Sequence, residues 1–168
     1  MLRCSRIALV LAALLAGCAS PPPRDPGAVA AAYAKQGRLA EASREIEIAV
    51  RTHPKDLALR RQAVEIYEQA GHVDKAVGHL EDSIELAPED AEAWILLAEL
   101  ENGRGNTDDA YVAYRRAERL APDDVRAVSG LALTADSLGF TEEAQRAYAR
   151  WAELEKSARP PGEPPPAD

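Results

Sequence analysis

Residues 91–124 read AEAWILLAELENGRGNTDDAYVAYRRAERLAPDD, and their pattern decides the fold. Apolar residues recur at helical spacing on both sides of Gly105, which predicts two amphipathic helices of about 12 to 14 residues joined by a short turn. The glycine ends the first helix, where a left-handed backbone costs it no side-chain clash. Pro122 stops the second, because proline has no N–H to give and restricts the residue before it. Working outward, the same marks return at one interval. Gly37, Gly71, Gly105 and Gly139 stand 34 residues apart, and so do Ala42, Ala76, Ala110 and Ala144. Pro54, Pro88 and Pro122 keep the interval, as do the bulky residues Ile46, Leu80, Tyr114 and Tyr148. Four columns that share a period define an internal repeat.

The third copy, with Trp94, Leu97, Ala98, Ala110, Tyr114, Ala117 and Pro122, resembles the tetratricopeptide repeat (TPR) family. That resemblance implies an all-α, right-handed solenoid of four helix-turn-helix repeats, at about 23–56, 57–90, 91–124 and 125–158, each touching mainly its neighbours. Asp25-Pro26 opens the first helix with proline in its first turn, and the proline-rich approach shortens that helix. Asp74, Thr107 and Thr141 are read as the N-cap oxygens of the second helices. Some positions depart from the family pattern. Arg60 stands where the family often has Trp, the fourth repeat lacks the final proline, and Trp151 replaces a favoured Ala with no solvating helix after it.

Composition narrows the function. The chain has 168 residues, is 46% hydrophobic and 29% charged, and carries a net charge of −8, the wrong sign for neutralising nucleic-acid phosphates. Two cysteines cannot build a disulfide scaffold or a four-cysteine zinc site. No apolar stretch reaches the roughly 18 residues of a membrane-spanning helix.

The N-terminus reads as an address. Arg3 and Arg6 precede an unbroken apolar run from Ile7 to Ala16, the length of a signal-peptide core. Leu15-Ala16-Gly17-Cys18 then resembles the lipobox of bacterial lipoproteins. The resemblance implies removal of residues 1–17, acylation of Cys18 and anchoring by lipid, since two or three acyl chains hold durably where one does not. Loss of Arg3 and Arg6 takes the charge from −8 to −10. Ala19 stands where an Asp would resemble an inner-membrane retention signal. The implied location is therefore the outer membrane facing the periplasm, or the outer face of the plasma membrane in a Gram-positive host. Residues 18–25, with Pro21, Pro22 and Pro23, form a lipidated tether, and at about 3.1 Å per residue it lifts the domain roughly 20 Å off the membrane. Residues 159–168, rich in proline, are read as a disordered tail. Either this tail frays and leaves Trp151 and Leu154 partly exposed, or the polyproline stretch or a partner covers Tyr148 and Trp151.

No catalytic or metal-binding constellation emerges, and no cofactor is called for. His53, His72 and His79 fall beside a proline, beside a turn glycine and on a second helix, without ligand spacing. Gly103-Arg104-Gly105 has Asp108 where a dinucleotide loop needs its third glycine. Ser129-Gly130 lacks the first glycine of a nucleophile elbow. These absences argue against an enzyme.

The TPR resemblance implies a concave face lined by first helices. Carried onto this sequence, its groove positions are Ala31, Ala34 and Lys35, then Arg61, Glu65, Glu68 and Gln69, then Glu92, Ile95, Glu99 and Asn102, and lastly Arg126, Ser129, Leu133, Asp136 and Ser137. The carboxylate clamp of chaperone-binding relatives is absent, because Glu65, Glu99 and Leu133 occupy its ninth positions. The groove so read is acidic in the middle with apolar spots at Ile95 and Leu133, suited to a basic or amphipathic peptide. The plain alternative is that Glu65, Glu68 and Glu99 form a solvated helix face. Resemblance to TPR lipoproteins implies a non-catalytic scaffold that assists a pilus or secretin, or else an adaptor recruiting cell-wall hydrolases or proteases. A small-molecule binder would need a polar pocket that the sequence does not supply.

Overall fold

A computed structural model describes residues 25–158; the lipobox, the tether before Asp25 and the proline-rich tail lie outside the described residues. Among the described residues eight helices follow one another: α1 Pro26–Lys35, α2 Leu39–Thr52, α3 Leu57–Gln69, α4 Val73–Leu86, α5 Ala91–Gly103, α6 Thr107–Leu120, α7 Val125–Ser137 and α8 Thr141–Ala158. Each packs on the next in sequence, which is the geometry of an all-α solenoid. The helix starts at Leu57, Ala91 and Val125, and at Leu39, Val73, Thr107 and Thr141, repeat the 34-residue interval. α1 is short, as its proline-rich approach predicts, and α8 runs past its counterparts because no proline stops it.

The turns confirm the glycine column. Gly37, Gly71, Gly105 and Gly139 have φ of +72°, +73°, +82° and +79°, and no other described residue has positive φ. Past each glycine, the next residue sends its N–H back five residues, as from His72 to the Tyr67 carbonyl at 2.8 Å. This closes the orphan carbonyls of the first helix.

The capping assignment needs correction. Arg38, His72 and Asn106 hold the N-cap positions of α2, α4 and α6, without a side-chain cap bond. Thr107 and Thr141 already lie inside their helices, and Asp74 lies in a first turn. The side-chain caps belong instead to the first helices: Asp25, Asp56, Asp90 and Asp124 accept bonds from the N–H groups that follow them. The helix starts decide this: Asp74, Thr107 and Thr141 fall at or just past the first helical residue, whereas Asp25, Asp56, Asp90 and Asp124 stand at the N-cap itself.

Arg60 explains its own departure from the family pattern. It is 8% exposed and donates to the Pro54 carbonyl from Nε at 3.0 Å and from a terminal nitrogen at 2.7 Å, while pairing with Asp82 at 2.6 Å. One repeat later, Trp94 donates from Nε1 to the Pro88 carbonyl at 3.0 Å. Arginine therefore fills the tryptophan site by serving the same proline carbonyl.

The core falls into successive clusters. Ala30, Ile46, Ala63, Tyr67, Ala76 and Leu80 belong to one, and Ala98, Ala110, Tyr114, Leu131 and Ala147 to another. α1 approaches α3 directly, and α5 approaches α7, whereas α3 and α5 meet only through side chains, with Leu57, Arg61, Ala93 and Leu96 lining one small cleft.

Candidate protein-binding groove

The first helices share one face, and the side chains expected on it can be placed individually. Ala31, Ala34, Lys35, Gln62, Glu65, Ile66 and Gln69 line a cleft of about 260 Å³ between α1 and α3. Alanines on α1 open it and Ile66 on α3 floors it. Arg61 reaches forward to the cap of α5, 3.2 Å from the Asp90 carboxylate, so its charge is engaged within the protein.

The acidic middle is a physical cluster. Burial, and Glu65 beside it, raise the Glu68 carboxyl above its ordinary range. Burial also raises Glu99; Arg126 opposes the rise, while Glu92, Glu68 and Asp124 add to it. Glu65 and Glu68 on α3 and Glu92 and Glu99 on α5 thus share one field. Arg126 is the cation in this field. It is hydrogen-bonded to Glu92 and lies 3.7 Å from Asp124 and 3.9 Å from Glu99. One guanidinium shared among three carboxylates leaves the cluster net acidic.

The two expected apolar spots differ in exposure. Leu133 is 52% exposed, but Ile95 is 1% exposed. Ile95 packs with Ala117 of α6 and Ala127 of α7, two small residues that leave a socket where α5 and α7 come close. Arg61, at the corresponding place in α3, has no such close neighbour and stays exposed. Asn102 and Asp136 are exposed toward the ends of α5 and α7. Ser137 and Ser129 turn their hydroxyls onto their own helices, to the Leu133 and Arg126 carbonyls.

A second polar group lies outside the groove, and the sequence reading missed it. His79 stacks on Tyr67, ring centroids 5.4 Å apart and 9° from parallel, with Nε2 3.9 Å from Glu47. Tyr67 donates to Glu47 at 2.9 Å, and burial first, then that bond, push its hydroxyl up to about 12. Burial lowers the His79 pKa, although Glu47 opposes the change. The arrangement joins α2, α3 and α4. Its only signal in the sequence was an aromatic residue and a histidine twelve positions apart. Among the described residues, no three His, Cys, Asp or Glu side chains gather as a metal site, and no helix is long and apolar enough to cross a membrane.

A family model for the tetratricopeptide repeat matches residues 57–100 and again 91–134. With the glycine turns and the 34-residue helix starts, that match decides the fold. It is a TPR solenoid. Solved structures of MamA share this fold. One crystal structure of MamA aligns at TM-score 0.70 and 19% identity, over 79% of this chain and 77% of that one. Another aligns at TM-score 0.71 and 20% identity, over 80% and 75% of the two chains. MamA from Desulfovibrio magneticus RS-1, residue 41 to its end, aligns at TM-score 0.69 and 19% identity, over 80% and 76%. No curated protein matches by sequence. A TPR solenoid is a protein-interaction fold.

The raised carboxyls give a testable consequence. An acid with a raised folded pKa holds its proton more readily in the folded state, so its ionised form weakens the fold at neutral pH. Stability then rises as pH falls toward that folded pKa and the carboxyl protonates. Glu68→Gln is expected to raise the melting temperature at pH 7 and to flatten this pH slope. An unchanged melting temperature and slope in calorimetric scans between pH 7 and pH 4.5 would refute the raised Glu68 carboxyl.

Proposed function

We propose that this protein is a lipid-anchored, non-catalytic scaffold whose acidic concave groove receives a basic or amphipathic segment of a partner protein. The carrying observation is the Glu65–Glu68–Glu99 cluster. It holds carboxylates near one another at a cost in stability, while two cations of the groove, Arg61 and Arg126, are already engaged. A partner that brings Lys or Arg relieves that cost, and exposed Leu133 offers an apolar contact beyond it. The lipobox-like Leu15-Ala16-Gly17-Cys18 supports acylation at Cys18 and a place on the outer membrane facing the periplasm. Together with the repeats, it supports a role in assembling an envelope machine such as a pilus or secretin.

Tagged full-length protein, crosslinked and extracted from its host membranes in mild detergent, tests both halves. Glu65→Lys with Glu99→Lys is expected to reduce recovery of the groove partner at least tenfold, equivalent to about 1.4 kcal/mol. Unchanged recovery of every partner would sink the groove assignment. Cys18→Ser is expected to abolish labelling by radioactive palmitate and to release the protein from the membrane pellet. Persistent labelling would sink the anchor. Recovery of cell-wall hydrolases instead of a pilus or secretin component would redirect the partner class and leave the groove intact.

A further inference from the structure

The acidic face of the first helices is filled at one end and open at the other. Arg126, near the start of α7, stands 34 residues after Glu92, at the same place in the next unit. α5 and α7 approach directly, and the Arg126 side chain hydrogen-bonds to Glu92. Its guanidinium also lies 3.9 Å from Glu99 and 3.7 Å from Asp124. Leu133 stands one unit after Glu99, so the acidic row ends at Glu99 and Arg126 closes it.

The other end has no such closure. One unit before Glu92 the same place holds Ala58, which carries no charge. Arg61, on the helix of Glu65 and Glu68, turns to Asp90 instead. Among the described residues, no ion pair reaches Glu65 or Glu68. Glu65 borders the cleft of about 260 Å³ between α1 and α3, with Ala31, Ala34 and Ile66 as its apolar walls and Lys35 at its edge. Open carboxylates beside an apolar cleft suit a basic side chain with an apolar neighbour.

Given the acidic groove proposed above, on which this step rests, we infer that Arg126 is a built-in occupant of that groove. It fills the Glu92–Glu99 half in place of a partner's basic side chain and leaves the Glu65–Glu68 half for the partner. Arg126 thereby sets the pattern the groove selects: a basic residue beside an apolar one at the α1–α3 end, and no cation at the α7 end. Arg126, Glu92 and Glu99 are all part-exposed, and ion pairs of that kind are weak. Burial keeps the Glu99 carboxyl above its ordinary range even with Arg126 beside it. A segment with several basic residues therefore competes with Arg126 for these carboxylates.

The test is a calorimetric titration of hexalysine into the full chain in mild detergent, at low salt, where surface charge is least screened. Arg126→Ala is expected to tighten binding about fivefold, the scale of one part-exposed ion pair. Arg126→Gln, which keeps most of the stem, is expected to do the same. Arg119→Ala removes an equal charge from an exposed place on α6 and is expected to leave the affinity near that of the wild type. Glu99→Gln is expected to cancel the gain in the Arg126→Ala protein and to change the wild type little, because Glu99 is free only in the former. Equal affinities of the wild type and Arg126→Ala, or a gain matched by Arg119→Ala, overturn the inference and leave the groove in place. So does a Glu99→Gln loss of the same size in both backgrounds. Hexalysine that binds neither protein overturns the acidic groove itself, and the role of Arg126 with it.

Discussion

Gly130→Val is expected to destabilise the C-terminal half of the solenoid by about 3 kcal/mol, the upper part of the usual range for overpacking a core. A Cβ at Gly130 would lie 2.3 to 2.6 Å from the Tyr114 ring, well inside any tolerable contact. Tyr114 is itself buried and cannot swing aside. Gly27 is the contrast: its added Cβ meets the tip of the Leu59 side chain at 2.6 Å, which can rotate away. Gly27→Ala should therefore be mild. In a repeat protein the damage spreads mainly to nearest neighbours. Thermal melting of Gly130→Val should show an early step that leaves α1 to α4 helical. Adding Tyr114→Leu is expected to restore most of the loss, because the one-repeat-earlier pair, Leu80 and Leu96, already shares one small cleft without a glycine. A single unshifted transition in Gly130→Val would show that the contact relaxes at no cost.

Tyr67→Ala should cost about 3–5 kcal/mol, as for other large aromatic truncations in a core. Tyr67 is 1% exposed, belongs to the N-terminal core cluster, stacks on His79 and bonds to Glu47. Truncation removes all three contacts and leaves Glu47 and His79 without their shared partner. Tyr67→Phe separates the parts, keeping the ring and the stack while deleting the hydroxyl. Its expected loss is about 1 kcal/mol, the usual net value of one hydrogen bond. Urea titration of the two variants checks the ratio. If Tyr67→Phe cost as much as Tyr67→Ala, the hydroxyl bond to Glu47 would dominate, and the packing account would be wrong.

Much of the fold was legible because its punctuation is chemical. A left-handed turn selects glycine and a helix stop selects proline, so both leave columns that any self-comparison finds. The caps were harder to read. Asp56, Asp90 and Asp124 also keep the 34-residue interval, but Asp74 and Thr107 look equally suited to capping, and only the turn geometry separates them. The charge of the first-helix face was legible in the sequence and the depth of its side chains was not. Glu65, Glu68 and Glu99 share one face as their register requires, yet position alone could not show that small Ala117 and Ala127 open a socket for Ile95. Arg60 was legible only as an exception. Its role depends on the Pro54 carbonyl, and a backbone acceptor leaves no trace in side-chain identity.

The fit of Tyr114 against Gly130 also bears on how such a chain can change over generations. Duplication supplies units of identical length, and the shared turns make any unit foldable after any other. Their contact surfaces do not follow that rule. A third unit carrying Tyr114 needs a successor with nothing at the sixth position, whereas the third unit's own Leu96 presents a full side chain there. Copying the third unit in tandem would drive a tyrosine into a leucine. The order of the four units is thus recorded in the sizes of the residues they present to one another, and shuffling them would require these pairs to change together.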